Sequence, residues 1–282
     1  MLGQAQPASG VKSVLLWVLL PLLAGLALAT RVPRPVIGLI YLNDSIYAYT
    51  ARDMISQLDY ARQHPEVRGV VLVMDSPGGT VVDTEAIYLE LARLRQSKPV
   101  VTMAQGMIAS GAFYLSVGTD YVVAGPSAII GNIGVISQLP PPPEVYEDLA
   151  STGPYKLFGS SRDAQLRSME AIKQAFLQAV QLGRGERLQI GPQRLLTGEI
   201  WLGTEALRMG LVDEVGSVSQ SVERAADLAR VAHYRVVDLR QLAELPPSVT
   251  YYFFYETPEG VLTPYPRQPG LYLLYVPPWN GG

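Results

Sequence analysis

Apolar residues along the middle of the chain alternate between unbroken runs and runs with helical spacing. Unbroken β-branched and apolar runs are typical of strands that are buried on both faces of a parallel sheet. Such runs predict four strands, over residues 36–42, 69–76, 99–105 and 121–126. The segments between them predict three helices, over residues 50–64, 81–97 and 111–119. Strands that alternate with helices in this way predict an α/β fold with a largely parallel sheet and flanking helices.

The second half of the chain continues with helical patterns and ends in an aromatic tail. The patterns predict helices over residues 163–187, 205–210 and 217–231. Gly210 ends the second of these as a C-cap, a short edge strand follows, and another strand is predicted over residues 234–240. Because aromatic residues favour strands, the tail from Pro246 predicts an edge hairpin or an aromatic arm. A contact of this tail with a membrane surface or another subunit is the alternative.

An uncharged and strongly apolar run of 18 residues covers residues 13–30. A membrane-spanning helix needs about 20 such residues, and about 17 still suffice. The run therefore predicts a single-pass transmembrane signal anchor. A cleaved signal peptide is the alternative, because Ala27-Leu28-Ala29 supplies an A-x-A cleavage site. Either interpretation places the rest of the chain on the extracytoplasmic side of a cell membrane.

Composition and charge exclude several kinds of site. The 282 residues carry a net charge of -3, and no block of Lys and Arg occurs, so the chain lacks a basic field that would bind nucleic acid. The absence of cysteine removes disulfides, thiolate metal sites and cysteine nucleophiles. No Walker loop, His-x-x-x-His pair or acidic cluster with ligand spacing is present, so we expect neither a metal nor another cofactor.

Two glycines follow the second predicted strand. In the sequence MDSPGGT, Pro77 is followed by Gly78 and Gly79. Ligands of α/β proteins bind near turns of this kind at the carboxyl ends of parallel strands. Glycine amides in such a turn can point into a site and stabilise an oxyanion. An ordinary tight turn is the alternative, and we assign no chemistry to Ser76.

Ser110 lies between Ala109 and Gly111, where a predicted helix follows the third predicted strand. Unpaired amides at a helix N-terminus favour a developing alkoxide, and the amide of Gly111 could contribute to an oxyanion hole. The position is therefore suited to a nucleophile. It is equally suited to a simple N-cap, because serine is among the favoured capping residues.

A serine nucleophile needs a base, and neither histidine has a setting that suggests a catalytic triad. His64 ends a surface helix, and His233 lies between a helix and a strand. A lysine can act as a base where burial disfavours its charged form. Lys156 lies in an uncharged neighbourhood, although a solvated loop residue is the alternative for it. The other lysines flank the apolar run or lie on exposed helices: Lys12, Lys98 and Lys173.

Four stretches of the chain resemble the signal peptide peptidase A family of serine peptidases (peptidase family S49). They are DSPGGTV, GMIASGAFYLSVGTDYVVAGPSAIIGNIGVI, TGPYKLFGSSRD and LTGEIWLGTEALRMGLVDEVGS, in the family's order and spacing. The resemblance implies a fold shared with Clp protease and the crotonases. It also implies that Ser110 is the nucleophile and Lys156 the general base. By the same resemblance, the amides of Gly78 or Gly79 form the oxyanion hole together with Gly111.

The resemblance covers the chain from about residue 36 to 240 and suggests a domain organisation. We expect an N-terminal tail over residues 1–12, the anchor over 13–30, a linker over 31–35, a serine peptidase domain over 36–245 and an aromatic, proline-rich arm over 246–282. Half-length family members form ring-like homo-oligomers in which the lysine of one subunit completes the site of its neighbour. The proline run within residues 139–143 and the arm depart from the family's pattern.

These features predict peptide-bond hydrolysis through an acyl-enzyme, with signal peptides or unfolded apolar peptides as substrates. Lys156 would take the proton of Ser110, return it to the leaving amine and later activate water. Two alternatives remain at this point. One is a crotonase-like acyl-CoA enzyme that uses the same oxyanion amides, and the other is an inactive family member that acts as a membrane scaffold.

Overall fold

The computed structural model describes residues 15–29, 34–138, 150–156, 159–247, 255–256, 262–263 and 271–274. The helices are α1 (Leu20–Ala29), α2 (Ala48–Gln63), α3 (Val81–Arg95), α4 (Gly111–Val117), α5 (Arg162–Arg184), α6 (Pro192–Leu195), α7 (Gly203–Arg208), α8 (Val218–Ala229) and α9 (Leu239–Leu242). A π-helical turn over Leu15–Leu19 precedes α1, and a 3₁₀ turn over Gly185–Arg187 follows α5.

Thirteen strands are found in these described ranges. They are β1 (Val36–Leu42), β2 (Val67–Ser76), β3 (Gly78–Thr80), β4 (Val100–Ala109), β5 (Tyr121–Ala124), β6 (Ile129–Gly131), β7 (Ile136–Ser137), β8 (Ile200–Leu202), β9 (Glu214–Val215), β10 (Arg235–Asp238), β11 (Tyr255–Glu256), β12 (Leu262–Thr263) and β13 (Leu271–Leu274).

The central sheet has eight strands and is largely parallel. Its main path runs β10-β1-β2-β4-β5-β9, and every pairing along this path is parallel. Strand β6 adds in parallel to the far end of β4, and β8 pairs with β6 in the antiparallel direction. The prediction of an α/β fold with a largely parallel sheet is therefore confirmed.

Apolar side chains of the central strands point alternately into two cores. In β2, Val70, Leu72 and Met74 belong to the larger core, whereas Val71 and Val73 belong to the smaller one. Because successive side chains of a strand point to opposite faces, the two cores lie on opposite faces of the sheet. Helices α2 to α5 contribute to the larger core and α8 to the smaller one. Burial on both faces explains why these strands are continuous apolar runs.

The apolar N-terminal run is helical over the residues that the structure describes there, 15–29. In the described part of the chain, no helix combines the length and the apolar character that crossing a membrane requires. The transmembrane anchor over residues 13–30 thus gains no support from the structure and stays a prediction.

A buried ion pair ties the end of α5 to the sheet. The guanidinium of Arg184, which is 2% exposed, donates to the two carboxylate oxygens of Asp213 at 2.7 and 2.9 Å and to the carbonyl of Gly210 at 2.7 Å. Asp213 also accepts a hydrogen bond of 2.8 Å from the backbone nitrogen of Val122 in β5. The ion pair therefore holds α5, the helix that follows Lys156 in the sequence, against the sheet.

The aromatic tail contributes two separate strand arrangements. Strands β11 and β12 pair in the antiparallel direction, as the hairpin interpretation predicts. Strand β13 lies between β3 and β7 in a second, three-stranded antiparallel sheet. No local sequence pattern indicated that the tail would reach β3, which directly follows Pro77.

Candidate active site

The two glycines of the turn after β2 occupy positions that no larger residue can fill. Gly78 has a positive φ of 94°, and a Cβ built on it would lie 2.6 Å from the backbone nitrogen of Gly111 and would overlap the carbonyl of Leu273. A Cβ on Gly79 would lie 2.5 to 2.6 Å from backbone atoms of Ile46. Real Cβ atoms do not approach backbone this closely, so the packing of neighbouring main chains requires both glycines.

The loop before α2 holds this turn in place through its main chain. The backbone nitrogen of Ile46 donates to the carbonyl of Gly78 at 2.8 Å, and the carbonyl of Ile46 accepts from Thr80 at 2.9 Å. The amide of Gly78 donates to the hydroxyl of the buried Ser76 at 3.3 Å. The amide of Gly78 therefore has a side-chain partner within the turn.

Ser110 is buried, with 1% of its surface exposed, at the junction of β4 and α4. Its φ of 54° and ψ of -117° lie in a region that residues other than glycine rarely adopt. Its backbone nitrogen donates to Gly131 at 2.8 Å, and its carbonyl accepts the first helical bond from Tyr114 at 2.9 Å. Ser110 occupies the N-cap position of α4, but its side chain accepts no hydrogen bond from a helix amide. A strained backbone that holds a serine hydroxyl at a helix start is typical of functional positions.

The turn and the start of α4 lie side by side. A Cβ built on Gly111 would lie 3.3 Å from the nitrogen of Gly79 and 2.7 Å from the hydroxyl of Thr84. The structure thus brings Gly78, Gly79 and Gly111 together, and Gly111 directly follows Ser110. Two backbone amides beside a serine hydroxyl can stabilise the oxyanion that forms when that hydroxyl attacks a carbonyl.

The helix behind the site presents an apolar environment. Tyr114 on α4 packs against the rings of Tyr88 and Phe176, with centroids 4.9 and 5.1 Å away. Burial and, to a smaller extent, the neighbouring Tyr88 and Glu85 together raise the pKa of Tyr114 to about 12. This phenol therefore stays neutral at physiological pH and contributes no negative charge behind Ser110.

Lys156 lies in the described segment 150–156 with an exposed side chain. Its backbone nitrogen donates to the carbonyl of Gly153 at 3.1 Å. Within the described residues, none of its hydrogen bonds or ion pairs reaches Ser110. The structure brings the serine and the glycines together, and it leaves the partnership of Ser110 and Lys156 a prediction.

Two other basic residues that the sequence singled out have structural contacts. His64 stacks on Tyr60 with ring centroids 3.7 Å apart, and its Nδ1 lies 2.9 Å from the Tyr60 carbonyl. The ammonium of Lys98 donates to the carbonyls of Ala61 and His64, the latter at 2.6 Å. Burial lowers the pKa of Lys98. The prediction that Lys98 merely ends an exposed helix missed this role, in which it binds the C-terminal carbonyls of α2.

Sequence reasoning also missed the contributions of Ile46 and Leu273 to the site. Both act through their main chains, which contact the glycine turn. Main-chain contacts leave no residue-type signal in a sequence. The alternation of apolar and aromatic residues in the tail indicated a strand near Leu273 but not its location.

Comparisons with known proteins agree with this arrangement. The model of peptidase family S49 matches residues 92–232, and that of Clp protease matches residues 37–130. The first match includes both Ser110 and Lys156, and the second includes the glycine turn and Ser110.

Individual relatives match this chain over a longer range than either family model does. A protein named as a protease from Methanocaldococcus jannaschii is 30% identical over 226 residues, 75% of this chain and 72% of its own length. Another from Synechocystis sp. is 30% identical over 210 residues, 70% of this chain and 75% of its own. Protease 4 of Salmonella typhi is 31% identical over 194 residues, and this chain covers 31% of its length. The chain belongs to peptidase family S49 and is a serine peptidase.

Proposed function

We propose that the chain hydrolyses peptide bonds through an acyl-enzyme on Ser110, with Lys156 as the general base. The observation that carries this proposal is the backbone of Ser110, which holds a buried hydroxyl at the start of α4 in a strained conformation with φ 54°. A strained position of this kind persists only where the surrounding structure enforces it. The side chain caps no amide, so the strain serves no helix-capping purpose.

The backbone amides of Gly79 and Gly111 are the oxyanion donors in this proposal. Each donor of such a pair contributes about 10²- to 10³-fold to kcat. The amide of Gly78 instead donates to Ser76 at 3.3 Å, which orients the turn. Ser76 is thus a positioning residue for the oxyanion hole, although its sequence context indicated no chemistry.

Lys156 of one chain completes the site of a neighbouring copy in this proposal. Its exposed side chain fits a residue that becomes buried only on assembly. Burial in an apolar interface disfavours the charged form of an amine, which is what a lysine base needs. A homo-oligomer is therefore part of the proposed active enzyme.

The proposed substrates are signal peptides or other apolar peptides. The residues around Ser110 are small and apolar, and α4 is buried over nearly its whole length. The uncharged run over residues 13–30 would hold the enzyme at a membrane, where such peptides are released. We assign the catalytic domain to the extracytoplasmic side on the same sequence grounds.

Co-expression of two inactive variants tests the shared site. Ser110→Ala and Lys156→Ala should each abolish cleavage of an apolar reporter peptide. A co-expressed equimolar mixture should recover about a quarter of wild-type activity, because that fraction of head-to-tail interfaces unites the two intact residues. Cleavage should be measured on purified oligomers of the same size for every variant and for the mixture.

Lys173→Ala is the control variant, since the ammonium of Lys173 pairs with Glu170 at 2.6 Å on the surface of α5. It should retain wild-type activity. Full activity of Lys156→Ala alone would contradict the proposed base. An inactive mixture of two inactive variants would contradict the sharing of the site between subunits.

A further inference from the structure

The side chain of Gln165 joins three separate parts of the chain. It lies near the start of α5, nine positions after Lys156. Its amide nitrogen donates to the hydroxyl of Ser137 in β7 at 2.7 Å, and its amide oxygen accepts from the hydroxyl of Ser160 at 3.2 Å. All three polar side chains are half-buried. One amide thereby connects the end of β7, the start of α5 and the segment that follows Lys156.

The start of α5 gives this amide a defined position. The hydroxyl of Ser161 caps the helix by accepting from the backbone nitrogen of Ala164 at 3.1 Å. The carbonyl of Ser161 accepts from the backbone nitrogen of Gln165 at 3.0 Å. The other end of α5 is held by the buried pair of Arg184 and Asp213. A side chain on a helix that is held at both ends is a suitable support for a residue of a neighbouring loop.

Lys156 lies in a turn that main-chain hydrogen bonds close. Its backbone nitrogen donates to the carbonyl of Gly153 at 3.1 Å, and the backbone nitrogen of Gly159 donates to the carbonyl of Tyr155 at 2.7 Å. Gly159 has a φ of 78°, which glycine adopts without steric cost. Ser160 directly follows this turn. Its hydrogen bond to the glutamine amide therefore connects the turn that carries Lys156 to α5 and β7.

We propose that Gln165 is a positioning residue for the general base, because it holds the turn that presents Lys156. In this role Gln165 acts through Lys156 rather than on the substrate. The inference rests on the proposed function of Lys156. It applies whether the lysine completes the site of its own chain or that of a neighbouring copy, since the hydrogen bonds of Gln165 lie within one chain.

Support of this kind matters more for a lysine than for a shorter base. The amine ends a flexible four-carbon side chain, so a fixed backbone is needed to limit where the amine lies. A displacement of about 1 Å at a catalytic group can lower the rate about 10²-fold. Substrate binding should change little, since Ser110 and the glycine turn are held by main-chain hydrogen bonds of their own. Loss of the Gln165 contacts should therefore lower kcat and leave KM nearly unchanged.

Steady-state cleavage of an apolar reporter peptide by three variants tests the inference. Gln165→Met keeps the length and approximate volume of the side chain and removes both hydrogen bonds. It should lower kcat at least about 10-fold and keep KM within about twofold of the wild type. Ser160→Ala breaks the same connection from the other side and should also lower kcat. The double variant should be no slower than Gln165→Met, because both changes remove one shared contact.

Gln174→Met is the matched control. Gln174 lies on α5 as well, and its amide donates to the carboxylate of Glu170 at 2.8 Å on the exposed face of the helix. The control should keep the wild-type kcat. The oligomer size and the urea unfolding midpoint of every variant should match those of the wild type, which separates positioning of the lysine from loss of folding or assembly. An equal fall of kcat in Gln165→Met and Gln174→Met would overturn the inference, as would a fall that disappears when only correctly assembled oligomers are assayed.

The outcomes separate this inference from the proposed function. A wild-type kcat in Gln165→Met, together with an inactive Lys156→Ala, would overturn the inference alone. A raised KM with an unchanged kcat in Gln165→Met would assign Gln165 to substrate binding and overturn it as well. Full activity of Lys156→Ala would overturn the proposed base and the inference with it.

Discussion

Two buried polar regions of this molecule are built in opposite ways. The glycine–serine site, which comprises Gly78, Gly79, Ser110 and Gly111, is shaped by main-chain contacts and a strained backbone. The ion pair of Arg184 and Asp213 is held by opposite charges and hydrogen bonds between side chains. Because the two regions are built differently, we expect substitutions in them to have different consequences. Removing a side chain from the first region should change reactivity and leave the fold intact, whereas removing one from the second should change stability.

Ser110→Ala should show the largest effect in the glycine–serine site. Loss of the nucleophile should lower kcat/KM by at least about 10⁴-fold, as in other enzymes whose catalytic residues act as a unit. The free energy of unfolding should change by less than about 0.5 kcal/mol, because alanine keeps the backbone and fills nearly the same space. Peptide turnover and urea unfolding of the same preparation measure both quantities. A comparable loss of stability would show that the two regions do not differ in this way.

Arg184→Ala should show the largest effect in the ion-pair region. It leaves the carboxylate of Asp213 buried without its main partner, and breaking a buried pair in this manner costs about 3–5 kcal/mol of unfolding free energy. Arg187→Ala is the matched control, since its guanidinium contacts the same carboxylate at 2.8 Å but is 48% exposed. The control should cost about 0–1 kcal/mol. Equal losses for the two variants in urea unfolding would contradict the role assigned to burial.

The free energy of unfolding should also depend on pH through the ion-pair region. Burial raises the pKa of Asp213, but the hydrogen bonds and charge of Arg184, the Val122 amide and the charge of Arg187 outweigh it, so its pKa lies below the ordinary value. The folded state therefore binds this proton less readily than the unfolded state. The stabilisation is present above about pH 4, the unfolded pKa, and is lost as the pH falls through the folded value.

Urea unfolding of variants between about pH 6 and 2 measures this contribution. Asp213→Asn should unfold more easily at neutral pH and lose less stability than the wild type on acidification. Asp59→Asn is the control, because Asp59 pairs with Arg62 on the exposed face of α2. It should keep the wild-type pH dependence. A wild-type slope in Asp213→Asn would assign the acid sensitivity to other carboxylates.

The smallest predicted effect concerns the strain at Ser110. Glycine adopts a φ of 54° with a ψ of -117° without steric cost, whereas residues with a Cβ do not. Ser110→Gly should therefore be up to about 1 kcal/mol more stable than Ser110→Ala, while both are inactive. Because both variants lack the hydroxyl, their difference in urea midpoint isolates the backbone. A glycine variant that is less stable than the alanine variant would argue against strain at this position.

The positions of the strands buried on both faces were predicted well, but the end of one of them was not. The predicted strand over residues 36–42 coincides with β1. The predicted strand over residues 99–105 ends too early, because β4 continues to Ala109. Those last residues pair with β6, and the amide of Met107 donates to Asp75 at 2.8 Å. Partners distant in the chain extend this strand, so local apolar patterning could not reveal its end.

The candidate site likewise has features that the sequence predicts and features that only the structure shows. Ser110 and the glycines of the turn were candidates from their residue types and position, and their predicted roles came from the resemblance to the peptidase family. The hydrogen bond from the Gly78 amide to Ser76 was not predictable, because the geometry of the turn decides it. The pairing of Leu273 with Gly79 was likewise hidden, since strand pairing between β13 and β3 joins segments nearly 200 residues apart.

The sequence by itself determined the alternation of strands and helices, the family and the residue types at the start of α4. Periodicity and local turn chemistry are encoded in neighbouring residues, so a linear reading recovers them. Only the tertiary structure decided which main chains lie beside Gly111, which charged side chains pair in the interior, and which strand pairs with β3. Those properties arise from contacts between segments that are distant in the chain, and local sequence patterns do not encode such contacts.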